Sequence, residues 1–229
     1  MGLFWRLLLA HFIGDFAAQS EWFFKVRSKY LARFYHGLVV GVWSFILCLP
    51  YFGGQSSLRL LFVLIALTLA HIAIDLTKIR LTSKLGYDSF YFFIADQSFH
   101  IATVYAAYKI ANLQGFTDDD IRVIVVLTWI VFVLWGIPVF LHFLRGAVQR
   151  AKIPPYEYYK EPHHGFALWE RGALFLAVAL KGRWFYLFPF AIIPRIFILL
   201  NSKSEKIPIW DWISALVLAL LYNLTTGGK

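Results

Sequence analysis

Three pairs of residues with metal-ligand chemistry stand four positions apart in strongly apolar sequence: His11 and Asp15, His71 and Asp75, and Asp96 and His100. Side chains four apart stack on one face of a helix, so each pair directs an imidazole and a carboxylate the same way. Ionisable groups at membrane depth are costly; they normally face the protein interior and mark function. Imidazole and carboxylate together suit zinc, manganese or iron. Six such ligands from three helices can hold one ion with further groups around it, or two ions. A two-ion centre activates water and clamps the charge that develops on a phosphoryl or acyl group.

The elements that must position these pairs are membrane helices. With 60% hydrophobic and 15% charged residues over 229, and a mean hydropathy of +0.65, the chain is more apolar than a soluble domain, where roughly a quarter of residues are charged. A helical span needs about 20 apolar residues. Candidate spans lie near 3–19, 34–52, 58–77, 89–108, 121–144, 166–180, 185–200 and 208–224. The expected fold is all-α, one polytopic bundle of about seven or eight transmembrane helices forming a single domain over 1–229.

The net charge of +9 is scattered between apolar runs and forms no stripe of the kind that binds nucleic acid. It instead sets the topology. The links after the first, third and fifth spans carry Lys25, Arg27, Lys29 and Arg33, then Lys78, Arg80 and Lys84, then Arg145, Arg150, Lys152 and Lys160. The intervening links are poor in bases, and one carries Asp118, Asp119 and Asp120. The positive-inside rule makes the basic links cytoplasmic and the amino terminus external. The single cysteine, Cys48, admits no intramolecular disulfide and no thiolate metal site. The first apolar run superficially resembles a signal peptide, but its two ionisable residues and the lack of a small-residue cleavage site argue that it is retained.

With about 1.5 Å of rise per residue, this topology puts the ionisable groups at one depth, in the cytoplasmic half of the membrane. That layer contains His11, Asp15, Gln19, His36, His71, Asp75, Lys78, Asp96, Gln97, His100, Glu170, Arg171 and Arg195. The metal ligands are expected to be His11, Asp15, His71, Asp75, Asp96 and His100. Asp75, Lys78, Asp96 and Glu170 are the candidate catalytic groups. Lys78, Arg171 and Arg195 supply cations for an anionic substrate, while Gln19, His36 and Gln97 orient the ligands.

The series His11-Phe-Ile-Gly-Asp15-Phe-Ala-Ala-Gln19, His71-Ile-Ala-Ile-Asp75-Leu-Thr-Lys78 and Asp96-Gln97-Ser-Phe-His100 resembles an uncharacterised family of bacterial integral-membrane proteins, known by a domain-of-unknown-function label. Its pattern is HxxxDFxxQ, HxxxDxxK and DQxxH. Gly165-Phe-Ala-Leu-Trp-Glu170-Arg171 and Pro194-Arg195-Ile-Phe resemble the GxxIGxxER and KSxxRF stretches of its longer members, with Ala167-Leu168 in place of Ile-Gly and Ile193-Pro194 in place of Lys-Ser. The resemblance supports these positions as a unit and implies no activity.

The leading expectation is an intramembrane metal-dependent hydrolase or transferase in the bacterial inner membrane. Its cofactor would be zinc or manganese, its partners the lipid bilayer and a lipid or lipid-phosphate substrate reached from the cytoplasmic side. A second reading is a divalent-cation or proton-coupled transporter, since paired HxxxD motifs resemble the site of cation-diffusion-facilitator zinc transporters. In a third, the polar layer is helix packing in a structural or regulatory membrane partner.

Overall fold

The computed structural model describes residues 1–18, 30–53, 56–85, 88–113, 120–149, 164–179, 186–201 and 209–225. Among them there is no strand, and the chain is all-α. Helix α1 (Gly2–Phe12) runs directly into a π-turn, Ile13–Ala17. It is followed by α2 (Tyr30–Cys48), α3 (Ser57–Leu85) and α4 (Phe90–Ala111). Helices α5 (Ile121–Val131) and α6 (Ile137–Gln149) are joined through a second π-turn, Phe132–Gly136; α7 (His164–Ala179), α8 (Leu187–Asn201) and α9 (Ile209–Thr225) complete the order. Each expected apolar span therefore contains a helix.

Among the described residues, three helical runs are long and apolar enough to cross a membrane: Tyr30–Tyr51, Ser57–Leu85 and Ile121–Val148. This is fewer than the seven or eight expected spans, for two physical reasons. The first helix with its π-turn, and α7, α8 and α9, have 16, 16, 15 and 17 residues, short of the roughly 20 that a bilayer core requires. Helix α4 has 22 residues, but Asp96, Gln97 and His100 dilute its apolar character.

The structure forms two compact units. Unit 1 comprises Met1–Thr128 and Phe140–Tyr156, and its core is built by α1 to α4. Close approach of these helices depends on glycines. A Cβ at Gly14 would collide with the Val40 side chain, one at Gly37 with Ile72, and one at Gly41 with Thr68. Gly37 and Gly41 are one turn apart, the spacing by which small residues let helix backbones meet. Arg6 adds a polar tie: it is buried in α1, and its Nη1 donates to the Leu47 carbonyl at 3.0 Å. Ser89 caps α4 by accepting from the Phe92 amide, and Asn112 ends it in the left-handed conformation at φ 43°. Phe93 and Phe143 stack with ring centroids 4.8 Å apart, tying α4 to α6.

Unit 2 comprises Trp129–Val139 and Glu157–Lys229. Helix α7 packs against both α8 and α9. Several polar groups in this unit have specific partners. The Arg171 Nη2 donates to the Leu134 carbonyl within the second π-turn at 3.2 Å, and Trp212 Nε1 donates to Glu170 Oε2 at 3.2 Å. Asn223 Nδ2 donates to the Val178 carbonyl at 2.9 Å.

Candidate metal centre

The centre lies inside unit 1, where four helices each contribute side chains. Helix α1 and its π-turn bring His11 and Asp15, α2 brings His36, α3 brings His71 and Asp75, and α4 brings Asp96 and His100. All seven are buried. The π-turn is marked by the Ala18 amide donating to the Ile13 carbonyl, five residues back, at 2.7 Å. Single π-turns inside helices often occur at functional positions. Here it widens the helix at Asp15, while the missing side chain of Gly14 lets that turn lie directly against Val40 of α2.

The carboxylate and imidazole atoms converge on one another. Asp15 Oδ1 is 3.3 Å from both His36 Nε2 and His71 Nε2, and 3.6 Å from His11 Nδ1. Asp75 Oδ1 is 3.4 Å from His100 Nε2, and Asp96 Oδ1 is 3.5 Å from the same nitrogen. Asp75 Oδ2 lies 3.8 Å from His36 Nε2 and 3.9 Å from His71 Nε2. The rings of His71 and His100 stack with centroids 4.0 Å apart.

These separations are long for N–H···O hydrogen bonds, which run about 2.7–3.2 Å. His11 Nδ1 and Nε2, His71 Nε2, Asp75 Oδ2, Asp96 Oδ1 and His100 Nδ1 and Nε2 are buried with no hydrogen-bond partner. Leaving several such atoms unsatisfied costs about 1–3 kcal/mol each, more for charged groups. Two donors that share a tetrahedral ion at about 2.1 Å stand roughly 3.4 Å apart. The arrangement therefore has the spacing of ligands aimed at a common ion. Three triads can hold one: His11, His71 and His100; Asp15, His36 and His71; and Asp75, Asp96 and His100.

Around the convergent atoms, other groups hold the carboxylates in place. Gln97 Nε2 donates to Asp15 Oδ2 at 3.0 Å and stands 3.5 Å from Asp96 Oδ2, joining carboxylates of two helices. Lys78 Nζ donates to Asp96 Oδ2 at 3.1 Å and lies 4.0 Å from Asp88 Oδ2. In both Asp15 and Asp96, Oδ2 is held by a donor while Oδ1 faces the imidazoles. Such outer contacts fix the orientation of metal ligands.

The six residues expected as ligands thus meet, and so do Lys78 and Gln97. His36, expected to orient a ligand, stands among the ligand atoms themselves. Glu170 and Arg171 belong to unit 2, where they have the partners described above. Gln19 lies outside the described residues, as does the side chain of Arg195. Arg33 escaped the sequence reading: its Nη1 is 3.6 Å from Asp75 Oδ2. Its place in the sequence is in the basic link after the first span, but it precedes His36 by three residues and so shares its helix face.

No curated protein and no solved structure matches the chain. A family profile matches residues 3–135, a range that contains every residue of the cluster and ends before α7. The chain belongs to that family, DUF3307, proteins of unknown function.

Proposed function

We propose that the protein is an intramembrane metal-dependent enzyme, a hydrolase or transferase acting on an amphiphilic, phosphate-bearing substrate. The observation that carries this reading is the convergence of buried imidazole and carboxylate atoms that lack hydrogen bonds and stand at ligand-to-ligand spacing. Zinc or manganese suits the donor set. Such an ion lowers the pKa of bound water and stabilises charge on the group under attack. In hydrolysis the water oxygen bonds to phosphorus and the bond to the leaving oxygen breaks, the leaving oxygen taking up a proton.

Two further features support an amphiphilic substrate at a membrane. Between α3 and α4 lies an apolar groove of about 660 Å³, lined by Phe62, Ala66, Ala70, Thr103, Ala106 and Ile110, whose Ala70 and Thr103 stand one and three positions from His71 and His100 in sequence. That is room for a hydrocarbon chain beside a polar centre. The long helix α3 carries Lys78, Arg80 and Lys84 toward one end, and the positive-inside rule favours the cytoplasmic side for that end. A multi-pass protein of the bacterial inner membrane, its amino terminus outside, fits this charge pattern.

The test is elemental analysis of the purified, detergent-solubilised protein, followed by assay of phosphate release from lipid phosphates with and without a chelator. The reading requires bound transition metal and chelator-sensitive turnover, both lost in a folded His71→Ala, Asp75→Ala double variant. Absence of metal after reconstitution with zinc, manganese and iron would overturn it. Metal-loaded protein that carries ions across vesicle membranes without turnover would replace the enzyme with a transporter.

A further inference from the structure

We infer that the centre holds two divalent cations bridged by Asp75, with a dianionic phosphoryl group as the ligand they bind together; this rests on the metal-centre reading above. The two oxygens of Asp75 address different partners. Oδ2 faces His36 Nε2 and His71 Nε2, whereas Oδ1 faces His100 Nε2. With Asp15 Oδ1 at 3.3 Å from the first two imidazoles, one subsite is Asp15, His36, His71 and Asp75 Oδ2, a set of two nitrogens and two oxygens. The other is Asp75 Oδ1, Asp96 Oδ1 and His100 Nε2. The first subsite has the four ligands of a closed tetrahedral site, and the second has three and an open position. His11 forms a triad with His71 of one subsite and His100 of the other.

Two arguments favour two ions over one. Four histidines and three carboxylates exceed the four ligands that a zinc ion takes. A carboxylate that gives one oxygen to each ion spans the roughly 3.5–4 Å separation of two-metal sites.

Charge then identifies the ligand. Asp15, Asp75, Asp96 and, beside Lys78, Asp88 supply four negative charges, opposed by four from two divalent ions and one each from Lys78 and the nearby Arg33. A dianionic phosphoryl group closes the balance, and buried charge that is left uncompensated is strongly disfavoured. Arg33, beside Asp75 and about one-fifth exposed, sits where such a group would meet both the ions and a cation.

Manganese titration of the native, detergent-solubilised protein, read by bound equivalents and electron paramagnetic resonance, decides the ion count. Two equivalents with the spectrum of a spin-coupled pair are expected. Asp15→Asn and Asp96→Asn should each retain one equivalent with the signal of isolated manganese, but the count in the native protein decides by itself should either variant fail to fold. One equivalent in the native protein would overturn the two-ion inference while leaving the metal-centre reading standing; no bound ion from manganese, zinc or iron would overturn both. Inorganic phosphate is the probe for the anion. It should raise the unfolding temperature of the manganese-loaded protein and leave the metal-free protein unchanged, and no shift in the loaded protein would remove the phosphoryl assignment.

Discussion

Gln97 of α4 and Asp15 of the first helix, 82 residues apart in sequence, are joined by a 3.0 Å hydrogen bond from the Gln97 amide to Asp15 Oδ2. The same amide stands 3.5 Å from Asp96 Oδ2, so one neutral side chain fixes two carboxylates whose other oxygens face the histidines. Replacing Gln97 by Leu removes that orientation without touching a ligand atom. Metal affinity should fall about ten- to a hundredfold, read by competition with a chelator of known strength, while the fold is retained. Unchanged affinity would show that Asp15 and Asp96 are oriented by the helices alone.

Lys78 acts on the same oxygen of Asp96 that Gln97 approaches, Oδ2. Lys78→Met takes away the cation bonded to Asp96 Oδ2. The metal-free protein should lose about 1–3 kcal/mol of stability, the usual cost of removing a hydrogen bond to a buried charged group. Bound metal, itself a cation near Asp96, should recover part of that loss. Unfolding measured with and without manganese checks both parts.

Arg33 tests the anion-binding role separately from metal binding. Arg33→Ala should keep the metal content of the native protein and lower kcat/KM for a phosphorylated substrate by about ten- to a hundredfold, the scale of one charge-assisted contact at about 1.5–3 kcal/mol. Loss of metal together with activity would instead make Arg33 a support for Asp75 Oδ2, from which its Nη1 is 3.6 Å distant.

Gly37 reports on the packing that builds the centre. A larger side chain there meets Ile72, the residue next to His71 on α3. Gly37→Leu should destabilise the protein by about 1–3 kcal/mol through overpacking and weaken metal binding by moving His36 away from His71. Thermal unfolding and metal content of the same preparation measure the two effects.

Metal removal should also destabilise the protein, because a ligand that binds only the folded state adds stability in proportion to the logarithm of one plus the ratio of its free concentration to Kd. At a free ion concentration a hundred times Kd the gain is about 2.7 kcal/mol. Unfolding midpoints recorded across a series of buffered manganese concentrations should rise accordingly and flatten in the His71→Ala, Asp75→Ala variant.

The amino-acid sequence by itself determined the all-α character, the position of each apolar helix and the three His/Asp pairs, because helix periodicity is local and four-residue spacing places both members of a pair on one face. It also carried the family likeness, through motifs between His11 and His100. Other features depended on how helices approach and rotate, which no local pattern encodes. The glycine contacts of Gly14, Gly37 and Gly41 set the approach of α2 to its neighbours, and the π-turn set the direction of Asp15. Only the tertiary structure put His36 among the ligand atoms, brought Arg33 to Asp75 and turned the two oxygens of Asp75 toward different histidines. It also limited the helices long and apolar enough to cross a membrane to three among the described residues, because hydropathy registers an apolar run before its helical length is known.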